Sequence, residues 1–144
     1  MRSVKKRLRA ALALLAAPAL LMSGCADGAP QTPEASGSAA ASYTQITQQE
    51  AARIMEEESG FVILDVRTRE EFAAGHIPGA ICVPNESIAD VPPAELPDKA
   101  QRILVYCRSG RRSKEAAQKL ADMGYTAVME FGGIIDWTGE VTTG

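Results

Sequence analysis

From Tyr43 onward the chain alternates short unbroken apolar runs with stretches whose apolar residues recur at helical spacing. Thr47 caps a predicted helix over Gln48 to Glu58, with Ala51, Ile54 and Met55 on one face and Gly60 as its stop. Phe61-Val62-Ile63-Leu64-Asp65-Val66 is almost continuously apolar, the pattern of a parallel strand covered on both sides. Thr68 caps a short helix through Phe72 that ends near Gly75, and Ala80-Ile81-Cys82-Val83 reads as a further strand. A Pro-rich connection, Pro92 to Pro97, precedes the buried strand Ile103-Leu104-Val105-Tyr106, which runs into Cys107. Ser113 is the predicted N-cap of a helix over Lys114 to Met123, carrying Ala116, Ala117, Leu120 and Ala121 on one side. Beyond Gly124, Thr126 to Glu130 forms a last strand, and Gly132-Gly133 turns into a short helix containing Trp137. This alternation predicts the α/β class: a three-layer domain with a central parallel sheet and helices on both faces. Its roughly 100 residues suffice for one core.

The chain before Tyr43 follows other rules. Arg2, Lys5, Lys6, Arg7 and Arg9 form a basic start, Ala10 to Met22 a short apolar segment, and Met22-Ser23-Gly24-Cys25 a small-residue exit, which together read as an export signal. The apolar run falls short of the roughly 20 residues of a bilayer span. At Cys25 the pattern resembles the lipobox of bacterial lipoproteins, in which cleavage precedes a cysteine that is then acylated; Met22 stands where that family has Leu, Val or Ile. Plain cleavage without lipid is the alternative. Ala26 to Ser42 is rich in Ala, Ser, Gly and Pro and reads as a disordered tether. The expected organisation is a signal over 1–24, a tether over 25–42 and one folded domain over 43–144. Acylation with more than one chain at Cys25 would hold that domain at the extracytoplasmic face of a membrane.

Loss of the signal changes the charge balance. The whole chain has 15 basic and 18 acidic residues and a formal charge of −3; residues 25–144 keep 10 basic against 18 acidic, formally −8. So acidic a chain is not a nucleic-acid binder. Yet 3 of those 10 cations, Arg108, Arg111 and Arg112, lie within five residues. Such concentration suits a small anionic substrate.

Cys107 opens that cationic loop at the carboxyl end of a strand, where open α/β sheets bind ligands. Helix N–H groups, the three guanidinium charges and a turn at Gly110 that gathers backbone N–H groups all favour thiolate over thiol. Bringing a thiol pKa from about 8.5 to about 7 takes roughly 2 kcal/mol. A helix terminus alone supplies about 0.3–1 kcal/mol, so the arginines are expected to contribute the rest. An inert buried cysteine is the bland alternative, and three arginines make a poor apolar pocket for one.

Three segments, taken together, resemble the single-domain rhodaneses. Asp65-Val66-Arg67-Thr68-Arg69-Glu70-Glu71-Phe72 with Gly75-His76-Ile77-Pro78-Gly79-Ala80 is similar to that family's amino-terminal signature. Val105 to Ser113 resembles its active-site loop, and Gly132-Gly133-Ile134-Ile135-Asp136-Trp137 its carboxy-terminal signature. The resemblance covers roughly Tyr43 to Glu140. It implies two-step sulfur transfer without a cofactor or metal. Cys107 would take the outer sulfur of a donor such as thiosulfate, release sulfite, and pass the sulfur from a persulfide to cyanide or a thiol. By motif position Arg108, Ser109, Gly110, Arg111 and Arg112 carry over as substrate-binding, in a protein expected to act as a monomer.

Other reactive residues receive structural readings first. His76, the single histidine, lies in a Gly-His-Ile-Pro-Gly turn; a Cys-His hydrolase would need it as base. Asp65 and Arg67 are expected to pair and hold loops, Trp137 to pack, and Glu56-Glu57-Glu58 to be a solvated helix end. Cys82 reads as a small strand residue, with the alternative that it resolves an oxidised or persulfidated Cys107. Two competing functions are a phosphatase or arsenate reductase on the same fold, and a redox or sulfide-responsive interaction module without turnover. The first pattern places five residues between its cysteine and arginine; here four separate Cys107 from Arg112.

Overall fold

The computed structural model describes residues 41–144. Five parallel strands form one sheet: β1 (Thr44–Gln45), β2 (Phe61–Asp65), β3 (Ala80–Cys82), β4 (Arg102–Cys107) and β5 (Val128–Gly133), in the order β1-β5-β4-β2-β3. Three helices connect them: α1 (Gln48–Glu57), α2 (Arg69–Ala74) and α3 (Arg111–Asp122). The signal-like segment, Cys25 and the tether up to residue 40 lie outside the described residues.

Alternation along β4 assigns the two faces of the core. Ile103, Val105 and Cys107 join Leu64, Ala116, Ala117 and Leu120 on the α3 side. Leu104 and Tyr106 point the other way, to Ala51 and Ile54 of α1 and Ile63 of β2. Leu64, Ile103, Leu104 and Leu120 are fully buried, each such side chain contributing about 1.5–3 kcal/mol. The same alternation that builds the core puts the Cys107 sulfur on the side of the helix that follows it.

The caps show why the first two helices begin where they do. Thr47 Oγ1 accepts the Glu50 N–H at 3.1 Å. At α2, Thr68 Oγ1 accepts the Glu71 N–H at 3.2 Å while Glu71 Oε2 accepts the Thr68 N–H at 3.1 Å, a reciprocal capping box.

Three expectations need correction. Ser113 is not an N-cap: α3 starts at Arg111, three residues before the expected Lys114, because Gly110 takes a left-handed conformation (φ 96°) that turns the loop directly into the helix. Gly132 and Gly133 belong to β5, because Gly133 pairs with Cys107 across the sheet. Between the pairs Val105–Glu130 and Cys107–Gly133, β5 holds one residue more than β4, a bulge of the kind that re-aims side chains beside active sites. Trp137 follows a 3₁₀ turn over Ile134–Asp136 and does not lie in a helix. The two-residue β1 escaped sequence reading because both its residues are exposed and it has no apolar run.

Candidate active site

Cys107 ends β4 with only 1% of its surface exposed, and the next residues curl over its sulfur. The Gly110 N–H donates to Cys107 Sγ at 3.1 Å. The loop can lie so close to the sheet because Gly133 has no side chain: a Cβ there would stand 2.3 Å from the Arg108 carbonyl oxygen and 2.6 Å from Ser109 Cα. Two hydrogen bonds fix this stacking. The Ile135 N–H donates to the Arg108 carbonyl at 3.2 Å, and Gln48 Nε2 donates to the Gly133 carbonyl at 2.8 Å. Burial pushes the thiol toward its neutral form. The Ser113 hydroxyl and the N–H groups of Ser113, Gly110 and Ser109 outweigh that effect and bring its pKa below the ordinary thiol value.

The arginines are placed differently from expectation. Arg112 is held by Glu71, whose two carboxylate oxygens accept its guanidinium at 2.8 and 2.9 Å. That contact, against an opposing effect of burial, brings the Glu71 carboxyl down to about 2. Arg111 pairs with Glu115 at 2.6 Å on the open surface. Arg108 is exposed and, among the described residues, has no carboxylate partner. Hydrogen-bond donors touching the sulfur are the main influence favouring the thiolate, and Arg112 adds a charge attraction to it. Beside the loop opens a cleft of about 410 Å³, whose lining includes Gln45, Gln48, Ser109, Gly110, Lys114 and Asp136.

The model of the Rhodanese-like domain matches residues 47–140, which contain the whole of this loop and its support. The chain belongs to the rhodanese-like domain family. Among its relatives, the thiosulfate sulfurtransferase PspE of Escherichia coli is 38% identical over 73 residues, covering 51% of this chain and 70% of that protein. A sulfurtransferase of Allochromatium vinosum is 40% identical over 77 residues, covering 53% and 70%. A structure of an Escherichia coli rhodanese with anions superposes with a TM-score of 0.53 at 35% identity, covering 58% of this chain and 98% of the other. The protein is therefore a rhodanese-type sulfurtransferase, with a sulfur donor and a sulfur acceptor as its substrates.

In this rhodanese the remaining candidates fall into supporting places. Arg67 Nη2 donates to Asp65 Oδ2 and to the Gly75 carbonyl, both at 2.6 Å, so the pair ties the end of β2 to the end of α2. His76 Nδ1 sits 2.9 Å from the Phe72 carbonyl, its ring stacks on Phe72 at 3.7 Å, and its backbone pairs with Thr142; this is a structural histidine. Trp137 packs on Phe131. Glu57 and Glu58 engage Arg53 and Arg102 on the surface. Cys82 pairs in register with Asp65, and Asp65 with Tyr106, so Cys82 lies two strands from β4 and faces the side opposite to Cys107. Two strand spacings are about 10 Å, beyond the roughly 7 Å limit between Cα atoms of a disulfide. Direct resolution of Cys107 by Cys82 is excluded in this arrangement.

Sequence reading missed two kinds of residue here. Glu71 was legible only as part of a helix start, yet it claims one of the loop arginines. Glu130 was read as an ordinary strand residue, yet it is 2% exposed beneath the loop. A charged residue at the end of an apolar strand was the available signal.

Proposed function

We propose that Cys107 is the sulfur carrier of this enzyme, with thiosulfate or a related anionic sulfane donor as first substrate and a thiol or cyanide as second. In the first step the Cys107 thiolate attacks the outer sulfur of thiosulfate. A new sulfur–sulfur bond forms, the old one breaks, and sulfite leaves with the electron pair. In the second step the acceptor attacks the terminal sulfur of the persulfide, and Cys107 departs as thiolate. Since attacking and leaving groups are anionic throughout, no dedicated general base is needed, in keeping with the structural role of His76.

The observation that carries this reading is the buried sulfur at 3.1 Å from the Gly110 N–H, in a loop whose donors favour its charged form. Those N–H groups are suited to hold the terminal persulfide sulfur, as in backbone anion nests. Arg108 is the loop guanidinium free to attract the donor; the anions in the related rhodanese structure are consistent with such a use. A phosphatase reading is disfavoured because Arg112, the residue it would use to bind an oxyanion, is occupied by Glu71. Thiosulfate treatment followed by peptide mass mapping tests the carrier: one added sulfur on Cys107, removed by cyanide, absent in Cys107→Ser. A modified Cys82 with unmodified Cys107 would overturn it, and a persulfide that no acceptor discharges would favour the non-turnover module. Arg108→Ala is expected to raise the KM for thiosulfate about threefold to tenfold, the scale of one exposed charge contact, with kcat little changed.

The basic and apolar start of the chain and its cysteine at position 25 support an extracytoplasmic, lipid-anchored location for this domain, acting as a monomer. Cys25→Ala should move the protein from the membrane to the soluble fraction; retention at the membrane would refute acylation there.

A further inference from the structure

Behind the carrier loop lies a carboxylate that the transfer reaction does not use. Glu130 is 2% exposed, and among the described residues no cation pairs with it. Its alternation with Val128, and its pairing with Val105, put it on the same face of the sheet as Cys107. Oε1 accepts the Ser113 hydroxyl at 2.6 Å and the Gly132 N–H at 2.9 Å, and Oε2 accepts Gln45 Nε2 at 3.3 Å. The bulge in β5 makes the Gly132 contact possible by turning that N–H back toward Glu130.

Ser113 is the link. Its hydroxyl carries one hydrogen. Around its oxygen stand Glu130 Oε1 at 2.6 Å, the Gly110 carbonyl at 3.0 Å, the Gly132 carbonyl at 3.4 Å and the Cys107 sulfur. A carboxylate at 2.6 Å is the strongest of these acceptors and competes with the sulfur for that hydrogen. A carboxylic acid at the same place reverses the arrangement, because its own O–H donates to Ser113 Oγ and leaves the Ser113 hydrogen free to turn to the sulfur.

We propose that Glu130 is a positioning residue that couples to Cys107 through the direction of the Ser113 hydroxyl, so that the buried site shares one proton between sulfur and carboxylate. When Cys107 loses its proton, the S–H bond breaks and that proton goes to Ser113 Oγ. The Ser113 O–H bond breaks in turn, and its hydrogen becomes the O–H of Glu130. Net charge is conserved, and the site holds one negative charge where two would otherwise lie together in a poorly solvated place. The other groups around Glu130 do not supply an equivalent partner: Gln45 of β1 and Gln48 of α1 are neutral, while Lys114 of α3 and Asp136 of the 3₁₀ turn line the adjacent cleft with opposite charges. The proposal rests on Cys107 as the reacting group, and thiol alkylation reads that group whether or not sulfur is transferred.

The test is the pH profile of Cys107 alkylation by iodoacetamide in the whole protein. A neutral amide at position 130 competes less for the Ser113 hydrogen and adds no charge. Glu130→Gln is therefore expected to lower the midpoint of the profile and to reduce two apparent ionisations to one. In a Ser113→Ala background the same substitution should lose most of that effect, a coupling of at least about threefold in rate. Glu130 acting only as a brace for the loop predicts the reverse, a higher midpoint and slower alkylation. A raised or unchanged midpoint, or additive effects of the two substitutions, would overturn the proposal.

Discussion

β2 and β4 are neighbours in the sheet, and each ends at a buried ionisable side chain, yet the two ends are built for opposite purposes. At the end of β2 the Asp65 carboxylate meets the Arg67 guanidinium at 2.6 Å and also accepts from Arg67 Nε and from the Arg67 backbone N–H. At the end of β4 the Cys107 sulfur receives hydrogen bonds but, among the described residues, has no counter-ion in contact, and Ser113 joins it to the buried acid Glu130. A neutralised pair at a strand end locks loops together. An unneutralised sulfur held by donors keeps its electron pair available for attack.

That contrast is open to test from its largest expected effect downward. Asp65→Asn leaves the Arg67 charge buried without its partner and should cost about 3–5 kcal/mol in urea unfolding; among molecules still folded, Cys107 alkylation should keep its pH midpoint. A shifted midpoint would mean that the β2 end acts on the sulfur as well. Gly133→Ala forces a Cβ to within 2.3 Å of the Arg108 carbonyl. It should destabilise by about 1–3 kcal/mol, as overpacking does, and raise the Cys107 midpoint by lifting the loop N–H groups off the sulfur. Activity and midpoint equal to wild type would show that the loop does not depend on this contact.

The smallest effect is expected at Glu71. Its carboxyl lies at about 2 in the folded protein because Arg112 holds it. A depressed carboxyl stabilises the fold above its unfolded value, near 4.3, and that contribution disappears as pH falls toward 2. Glu71→Gln should therefore remove about 1 kcal/mol or less at neutral pH, the scale of a partly exposed pair, and flatten the stability curve between those two values. An unchanged acid limb in urea unfolding would show that the pair does not contribute.

The fold was legible where one rule decides each residue. Strands β2 and β4 announce themselves as apolar runs, and Thr47 and Thr68 as caps, because burial and capping are local demands on residue type. The Cys107 loop was legible for the same reason. Its surroundings were less so. Gly132 and Gly133 look like a turn in one dimension, and only their alignment with Cys107 makes them strand. Arg111 and Arg112 look like free charges beside the cysteine, and only the folding of α2 and the first turn of α3 gives them Glu71 and Glu115. The face opposition of Cys82 and Cys107 follows from register, which a single sequence does not display.

The additional residue in β5 makes that strand a ruler as well as a wall. Between the acid at position 130 and the Ile135 N–H that holds the Arg108 carbonyl, the number of residues sets how high the carrier loop stands above the sheet. Substitution there alters fit, whereas losing a single residue would slide the strand by one step and turn its side chains to the wrong face. Along this stretch the number of residues matters before their chemistry does.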